Sequence, residues 1–107
     1  MTTTRAGEVW LAEVEFADGT RSKPRPMLVL FCERQDSVLA VITSATPRTN
    51  RDVTLADWQA AGLRVPSTVR LDKLVTMSHE RLWAKLGIVS TGDWRRVAEA
   101  WNSQMHL

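Results

Sequence analysis

Arg25 is the residue of this sequence that is best suited to act on a phosphate. It stands between Pro24 and Pro26, directly before an apolar run over 27–32. Proline fixes φ and donates no backbone hydrogen bond, so the two prolines make a stiff lead into a strand. A guanidinium is charged at any relevant pH, and its planar fork matches the geometry of a phosphate. The alternative interpretation is that Arg25 is an ordinary solvated loop arginine.

Other polar residues are predicted to meet Arg25 at one end of a sheet. The apolar runs 27–32 and 38–42 predict two buried strands, and the short polar connection between them suits a hairpin. In an antiparallel hairpin the start of one strand lies beside the end of the next, so Arg25 and Thr43 become neighbours. The flanking loops carry four cations and two carboxylates: Arg21, Lys23, Arg48, Arg51, Asp18 and Asp52. This basic patch is typical of a phosphate-bearing partner, although a solvated charged rim would have the same composition.

Other kinds of reactive site have little support in the sequence. His79 and His106 are far apart, and Cys32 falls in an apolar run that predicts a buried, inert thiol, so we expect no metal site. No serine has a nucleophile-elbow pattern, and no glycine-rich phosphate loop occurs. We interpret His79 as a structural or solvated histidine in a surface turn, and His106 as part of a frayed terminus.

Length and composition predict a single domain over 1–107. The chain has 107 residues, 44% of them hydrophobic, which is enough for a core of its own. The net charge of +2 permits a polyanionic partner without requiring one. One cysteine cannot form an internal disulfide, and the sequence shows neither a signal-peptide pattern nor an apolar run of the ~20 residues that a membrane span needs. We therefore expect a cytoplasmic protein.

The elements that must position the polar residues are mostly short strands. Alternating apolar residues predict a first strand over 8–16, and a long strand over 68–77 places Arg70 and Asp72 on one face. A weaker strand follows over 83–89. Because the strands do not alternate with helices, the pattern favours a small antiparallel barrel or curled sheet.

Two helices are predicted beside these strands. A capping pattern over 54–57, with Gly62 as a natural stop, predicts a short helix over 55–61. A second capping pattern at 90–93 precedes apolar residues at helical spacing, which predicts an amphipathic closing helix over 91–104.

Six short motifs, spread over nearly the whole chain, occur in a characteristic order. They are Gly7-Glu8-Val9-Trp10-Leu11, Arg25-Pro26-Met27-Leu28-Val29-Leu30, Ile42-Thr43-Ser44, Gly62-Leu63 with Pro66-Ser67, Val69-Arg70-Leu71-Asp72-Lys73-Leu74, and Leu86-Gly87. Each motif is common by itself, but their order and spacing are specific. Together they resemble the MazF/PemK (Kid) toxins of bacterial toxin–antitoxin modules.

This resemblance implies both a fold and an activity. The fold would be an SH3-like antiparallel β-barrel with a short inserted helix and a C-terminal amphipathic helix, working as a symmetric homodimer. The activity would be that of a ribosome-independent endoribonuclease, or mRNA interferase, which cuts single-stranded RNA at a short sequence and needs no metal or other cofactor. The ribose 2′-OH would attack the adjacent phosphate, leaving a 2′,3′-cyclic phosphate and a 5′-OH. Such a reaction needs a base, an acid and stabilisation of the charge on the phosphorane.

The resemblance also implies roles for individual residues. Arg25 and Thr43 match the catalytic arginine and threonine of the family: Arg25 would clamp the phosphate and take part in proton transfer, and Thr43 would hydrogen-bond a non-bridging oxygen. Arg70 and Asp72 match a functional pair of the Kid branch. The supporting or RNA-binding residues would be Asp18, Arg21, Lys23, Ser44, Arg48, Arg51, Ser67, Arg70 and Asp72.

The first loop departs from the family pattern. Many members have a longer loop with Gly-x-Glu-Gln or Gly-His-Glu-Gln before the Arg-Pro motif, whereas this chain has only residues 18–24 there. The histidine or glutamate that serves some relatives has no match. The general base and the preferred RNA sequence therefore cannot be carried over, although Asp18 could substitute as the base.

Two partners are expected beside RNA. The apolar stripe of the last helix continues to Met105, and a barrel of this size is not expected to cover five tryptophans alone, so we predict a two-fold dimer. The basic loops suit the flexible, acidic tail of a cognate antitoxin, which would compete with RNA.

Two other functions remain open from the sequence. A gyrase-poisoning toxin of the CcdB type shares the fold but acts by binding a protein, and this chain lacks the Trp-Gly-Ile ending of those toxins. A noncatalytic member of the fold would bind only RNA or an antitoxin. Retention of both Arg25 and Thr43 argues against it.

Overall fold

The described strands form one open antiparallel sheet. The computed structural model describes residues 3–15, 19 and 23–107, so the predictions made for Phe16, Asp18 and Arg21 lie outside the described residues. The described strands are β1 (Glu8–Ala12), β2 (Arg25–Glu33), β3 (Asp36–Thr43), β4 (Asp52–Thr54), β5 (Thr68–Ser78) and β6 (Leu82–Ile88). Their order is β4-β5-β3-β2-β1-β6, which leaves β4 and β6 as edges. The mainly β class is confirmed, although the sheet does not close into a barrel.

A single α-helix, α1 (Thr91–Gln104), closes the described part of the chain, as the sequence predicted. Ser90 caps it, because its hydroxyl accepts a hydrogen bond from the backbone N–H of Asp93 at 3.1 Å. Val97 of this helix is buried in the core. Neither the length nor the composition of any described helix would let it cross a bilayer.

Both faces of the sheet are buried, as the unbroken apolar run of β2 predicted. Leu28 and Leu30 belong to a first core, which the tryptophans of α1 help to cover. Met27 and Val29 alternate with them and belong to a second core on the other face. The central strands are therefore fixed from both sides, and their ends can carry polar groups in defined positions.

Strand β5 is interrupted where it passes β3. Ala40 of β3 lies opposite Leu74, but its neighbour Val41 lies opposite Arg70, so residues 71–73 are extra on the β5 side. Regular alternation does not hold across this bulge. As a result Arg70 is buried whereas Asp72 is exposed.

The helix predicted over 55–61 is wrong. Residues 55–63, which we call the turn segment, contain successive turns over 56–62. Their backbone hydrogen bonds do not repeat as in a helix, since Ala61 donates to Asp57, Gly62 to Gln59 and Leu63 to Trp58. Thr54, the predicted cap, is the last residue of β4 instead. The competing influence is tertiary packing, which buries Leu55 and Ala61 in the first core.

Two further expectations need correction at the hairpin end of β2. Cys32 is exposed and not buried, because β2 extends beyond both cores before it turns into β3. His79 is structural, as expected, but it is only 7% exposed and does not lie at the surface. Its Nε2 lies 2.8 Å from the Ser37 hydroxyl and 3.1 Å from the Thr4 hydroxyl, so three buried polar side chains satisfy one another there.

Candidate functional site

Arg25 and Thr43 meet at one end of the hairpin formed by β2 and β3. Met27 pairs with Val41, so the antiparallel register brings Arg25, two residues before Met27, beside Thr43, two residues after Val41. Both residues line two adjoining clefts of about 420 and 640 Å³. This juxtaposition is the one that the sequence predicted.

The smaller cleft, which we call the basic cleft, is dominated by positive charge. Its walls carry Arg25, Arg48, Arg70 and Lys73 together with Thr43. None of these four cations forms an ion pair with another residue that the structure describes. Among the described lining residues no acid balances this positive charge, which favours an anion.

The larger cleft, which we call the apolar cleft, has a different wall. Its lining includes Leu11, Ile42, Leu63 and Leu86, with Arg64 at the same cleft. Apolar surface beside a cation suits a flat, partly polar group such as a nucleobase. The two clefts therefore offer different chemistry on either side of the Arg25–Thr43 pair.

The hydroxyl groups of these clefts differ in what they can still donate. The Thr43 hydroxyl oxygen accepts a hydrogen bond from the backbone N–H of Ala45 at 3.2 Å, which leaves its proton for a ligand. The Ser67 hydroxyl instead donates to the Val65 carbonyl at 2.7 Å. Because a hydroxyl has one proton, Ser67 keeps only acceptor capacity and supports its own loop.

The remaining predicted residues divide into those that line the clefts and those that do not. Ser44 lines the apolar cleft and Arg48 the basic cleft. Asp52 Oδ2 accepts the backbone N–H of Arg48 at 2.8 Å and so fixes the loop that carries it. Three of the predicted residues are exposed and line neither cleft: Lys23, Arg51 and Asp72.

Sequence reasoning missed two charged cleft residues, Lys73 and Arg64. Lys73 enters the basic cleft from the bulge of β5, where regular alternation would not place it. Arg64 follows the turn segment, for which the capping pattern wrongly predicts a helix. Their positions inside or beside family-like motifs were the only signal available.

The arrangement can hold a phosphate and stabilise added negative charge, but it does not by itself supply every proton-transfer group. Among the described residues that line either cleft, none is a carboxylate or a histidine. The described residues also contain no cluster of three or more His, Cys, Asp or Glu side chains placed to hold a metal.

Glu8 has a lowered pKa for a structural reason. Burial would raise the pKa of Glu8, but hydrogen bonds from the indole of Trp10 and the backbone N–H of Arg5, with the ion pair to Lys85 at 2.9 Å, outweigh that effect. Glu8 lines neither cleft. Its carboxylate therefore ties β1 to β6 and is not a candidate base.

Comparison with known proteins now decides the family. A sequence model of the PemK-like, MazF-like toxin of type II toxin–antitoxin systems matches residues 5–105. The chain belongs to this family. The match includes both clefts and α1, so the family assignment covers the whole candidate site. No curated protein matches the sequence at a significant level.

Solved structures show that the PemK/MazF-like fold is shared. The Mycobacterium tuberculosis toxin MazF-mt6 is 23% identical, with a TM-score of 0.73, over 90% of this chain and 93% of that one. An endoribonuclease in complex with its cognate antitoxin, from a mycobacterial species, is 15% identical, with a TM-score of 0.76, over 94% and 93%. A MazE–MazF structure from Deinococcus radiodurans is 18% identical, with a TM-score of 0.72, over 100% and 99%.

Proposed function

We propose that this PemK/MazF-like toxin is an endoribonuclease that cuts single-stranded RNA without a metal or the ribosome. The observation that carries this proposal is the convergence of Arg25, Thr43, Arg70 and Lys73 on one cleft free of described acids. Two of the structural relatives are named endoribonucleases, which supports the same activity here.

In the proposed reaction the 2′ oxygen of a ribose attacks the neighbouring phosphorus and the bond from phosphorus to the 5′ oxygen breaks. The 2′-OH proton passes to a base, and the departing 5′ oxygen takes a proton from water. Arg25 holds two phosphate oxygens through its planar fork, and the free proton of Thr43 is donated to a non-bridging oxygen. Asp18, which precedes β2 in the sequence, is our candidate for the base.

The apolar cleft gives the proposed enzyme a place for a base next to the scissile phosphate. Sequence-specific recognition of RNA generally uses unstacked bases, which contact side chains through their faces and edges. Leu11, Leu63 and Leu86 supply apolar surface, and Arg64 supplies a guanidinium. The preferred RNA sequence would then be selected on the opposite side of Arg25 from the basic cleft.

We also propose a homodimer, an antitoxin partner and a cytoplasmic location. Fewer tryptophans need a partner than the sequence suggested. Four of them are partly buried within the protomer: Trp10, Trp58, Trp94 and Trp101. What remains is exposed Trp83, together with Ile88, on the edge strand β6. An acidic antitoxin segment would find its charge complement in the basic cleft.

The test is incubation of the purified protein with a long RNA in EDTA, followed by mapping of the cut ends. We expect cleavage at a short recurring sequence, unchanged by EDTA, with 2′,3′-cyclic phosphate and 5′-OH ends. Intact RNA accompanied by inhibition of gyrase would favour the CcdB-like alternative. Intact RNA that is nevertheless bound would favour the noncatalytic alternative.

Lys73→Ala should weaken RNA binding in a salt-dependent way. If Lys73 contacts a phosphate, its loss should make the slope of log K against log salt less steep by about 0.7 for a single strand. Binding would be measured with an RNA carrying 2′-O-methyl groups, which has no nucleophile. Arg95→Ala, on the exposed side of α1 and outside both clefts, is the matched control. Equal slopes for Lys73→Ala and the wild type would remove Lys73 from the site.

A further inference from the structure

The turn segment, residues 55–63, is anchored at its beginning by a carboxylate from α1. Asp93 Oδ1 accepts the backbone N–H of Ala56 at 2.9 Å, and Asp93 Oδ2 accepts the backbone N–H of Asp57 at 2.8 Å. Asp93 is 1% exposed, so these bonds are shielded from water. Within α1, the Arg96 guanidinium forms an ion pair with the same carboxylate.

The Asp93 carboxylate binds the turn segment and not the N-terminus of its own helix. In the capping pattern 90–93 the acidic residue would reach back to its own helix N-terminus. Only half of that pattern forms: Ser90 accepts the backbone N–H of Asp93, while both carboxylate oxygens accept from the turn segment. Burial would raise the pKa of Asp93, but the backbone hydrogen bonds from Asp57 and Ala56 and the ion pair with Arg96 lower it. The carboxylate is thus ionised at neutral pH.

The other end of the turn segment is fixed by backbone packing. A Cβ on Gly62 would lie 2.1 Å from the Leu86 carbonyl oxygen, and one on Gly87 would lie 2.6 Å from that of Ala61. The segment is therefore held by α1 near its beginning and by β6 near its end, and the backbone N–H of Leu55 also donates to the Ser67 carbonyl at 3.0 Å. Beyond its contact with β6 it runs directly into the wall of the apolar cleft, at Leu63 and Arg64.

We propose that Asp93 is a positioning residue for the apolar cleft. It sets the position of the cleft wall at Leu63 and Arg64, and so determines which RNA bases the toxin accepts. Asp93 lines neither cleft and cannot touch the scissile phosphate. Its effect reaches the apolar cleft through the turn segment, whose amides it binds. The inference rests on the proposed endoribonuclease function, because it assigns the apolar cleft to RNA.

The test uses Asp93→Asn in the full-length protein. Asparagine keeps the shape but has only one acceptor oxygen, so one of the two backbone N–H groups loses its partner. We expect hydrogen exchange at the amides of Ala56 and Asp57 to become about tenfold to hundredfold faster. We also expect KM for the preferred RNA to rise about tenfold, with kcat changed by less than about threefold, and cleavage to spread to related sequences.

Met77→Ala is the control for general destabilisation. Met77 is 3% exposed in the second core, on the strand end that pairs with Ser37 and away from Arg25. Both variants would be assayed at a temperature where circular dichroism shows them folded. Equal changes in KM and site preference in the two variants would reduce Asp93 to a purely structural role and overturn the proposal.

The readouts keep this inference separate from the proposed function. If the wild-type protein cuts no RNA, the endoribonuclease proposal fails and the role in RNA selection fails with it. Exchange at Ala56 and Asp57 still reports whether Asp93 anchors the segment. Unchanged exchange in Asp93→Asn overturns the anchor itself, whatever the activity.

Discussion

Arg25→Ala is expected to slow RNA cleavage by about 100-fold or more while leaving the fold intact. Removing one preorganised, charge-assisted donor from a transition state typically costs about 10²–10³-fold in rate. Arg25 is exposed at the first position of β2, so its loss creates no cavity in either core. The measurement is the single-turnover cleavage rate on the preferred RNA, with circular dichroism and light scattering to confirm that fold and oligomeric state are unchanged.

Arg25→Lys separates the two roles that a cation can play there. Lysine keeps the charge but not the planar fork, so a bidentate clamp should fail nearly as badly as with alanine. If Arg25 acts only by long-range attraction, lysine should restore most of the rate. A folded Arg25→Ala variant that cuts RNA at near the wild-type rate would leave Arg25 as a solvated arginine, the alternative that the sequence left open.

Gly62→Ala is expected to be the most destabilising substitution of a glycine in the described chain. Gly62 has a φ of +83°, which costs an L-residue about 1–2 kcal/mol. Its new Cβ would also lie 2.1 Å from a backbone oxygen of β6, which no side-chain rotation can relieve. We expect a loss of more than about 3 kcal/mol in unfolding free energy and a fall in Tm of roughly 12 °C or more.

Thermal unfolding of two other glycine variants separates the cost of the positive φ from the cost of the steric clash. Gly19 has a φ of +86°, but a Cβ there would meet no described atom within 4 Å, so Gly19→Ala reports the backbone strain alone. Gly92 lies in the first turn of α1 with open space around it, so Gly92→Ala should be neutral or mildly stabilising. If Gly62→Ala were no worse than Gly19→Ala, the close approach between the turn segment and β6 would have no energetic weight.

The parts of the site that regular geometry governs could be predicted from the sequence. Period-2 alternation and hairpin pairing suffice to bring Arg25 beside Thr43, because both rest on strands whose register is fixed by two buried faces. Helical spacing likewise predicted α1 with its observed bounds. Local rules work where the chain follows its own periodicity.

The remaining parts depend on contacts between distant segments. The extra residues of β5 turn Lys73 into the basic cleft, and a bulge has no reliable signature in a single sequence. The turn segment has the composition of a helix, but its first amides are bound by Asp93, some 36 residues away in the chain. The prediction for Cys32 is wrong because the apolar run of β2 continues past the end of the core.

Strand β2 belongs to both cores, and this determines how the toxin unfolds. Leu28 and Met27 are neighbours in β2, and they pack into opposite cores. Because both cores depend on this strand, one core cannot unfold while the other stays folded. The sheet should therefore unfold in one cooperative transition, without a populated half-folded form. Arg25 begins that same strand, so the proposed phosphate clamp is present or absent together with the whole domain. The molecule would have no partially unfolded, still active state for a protease to encounter.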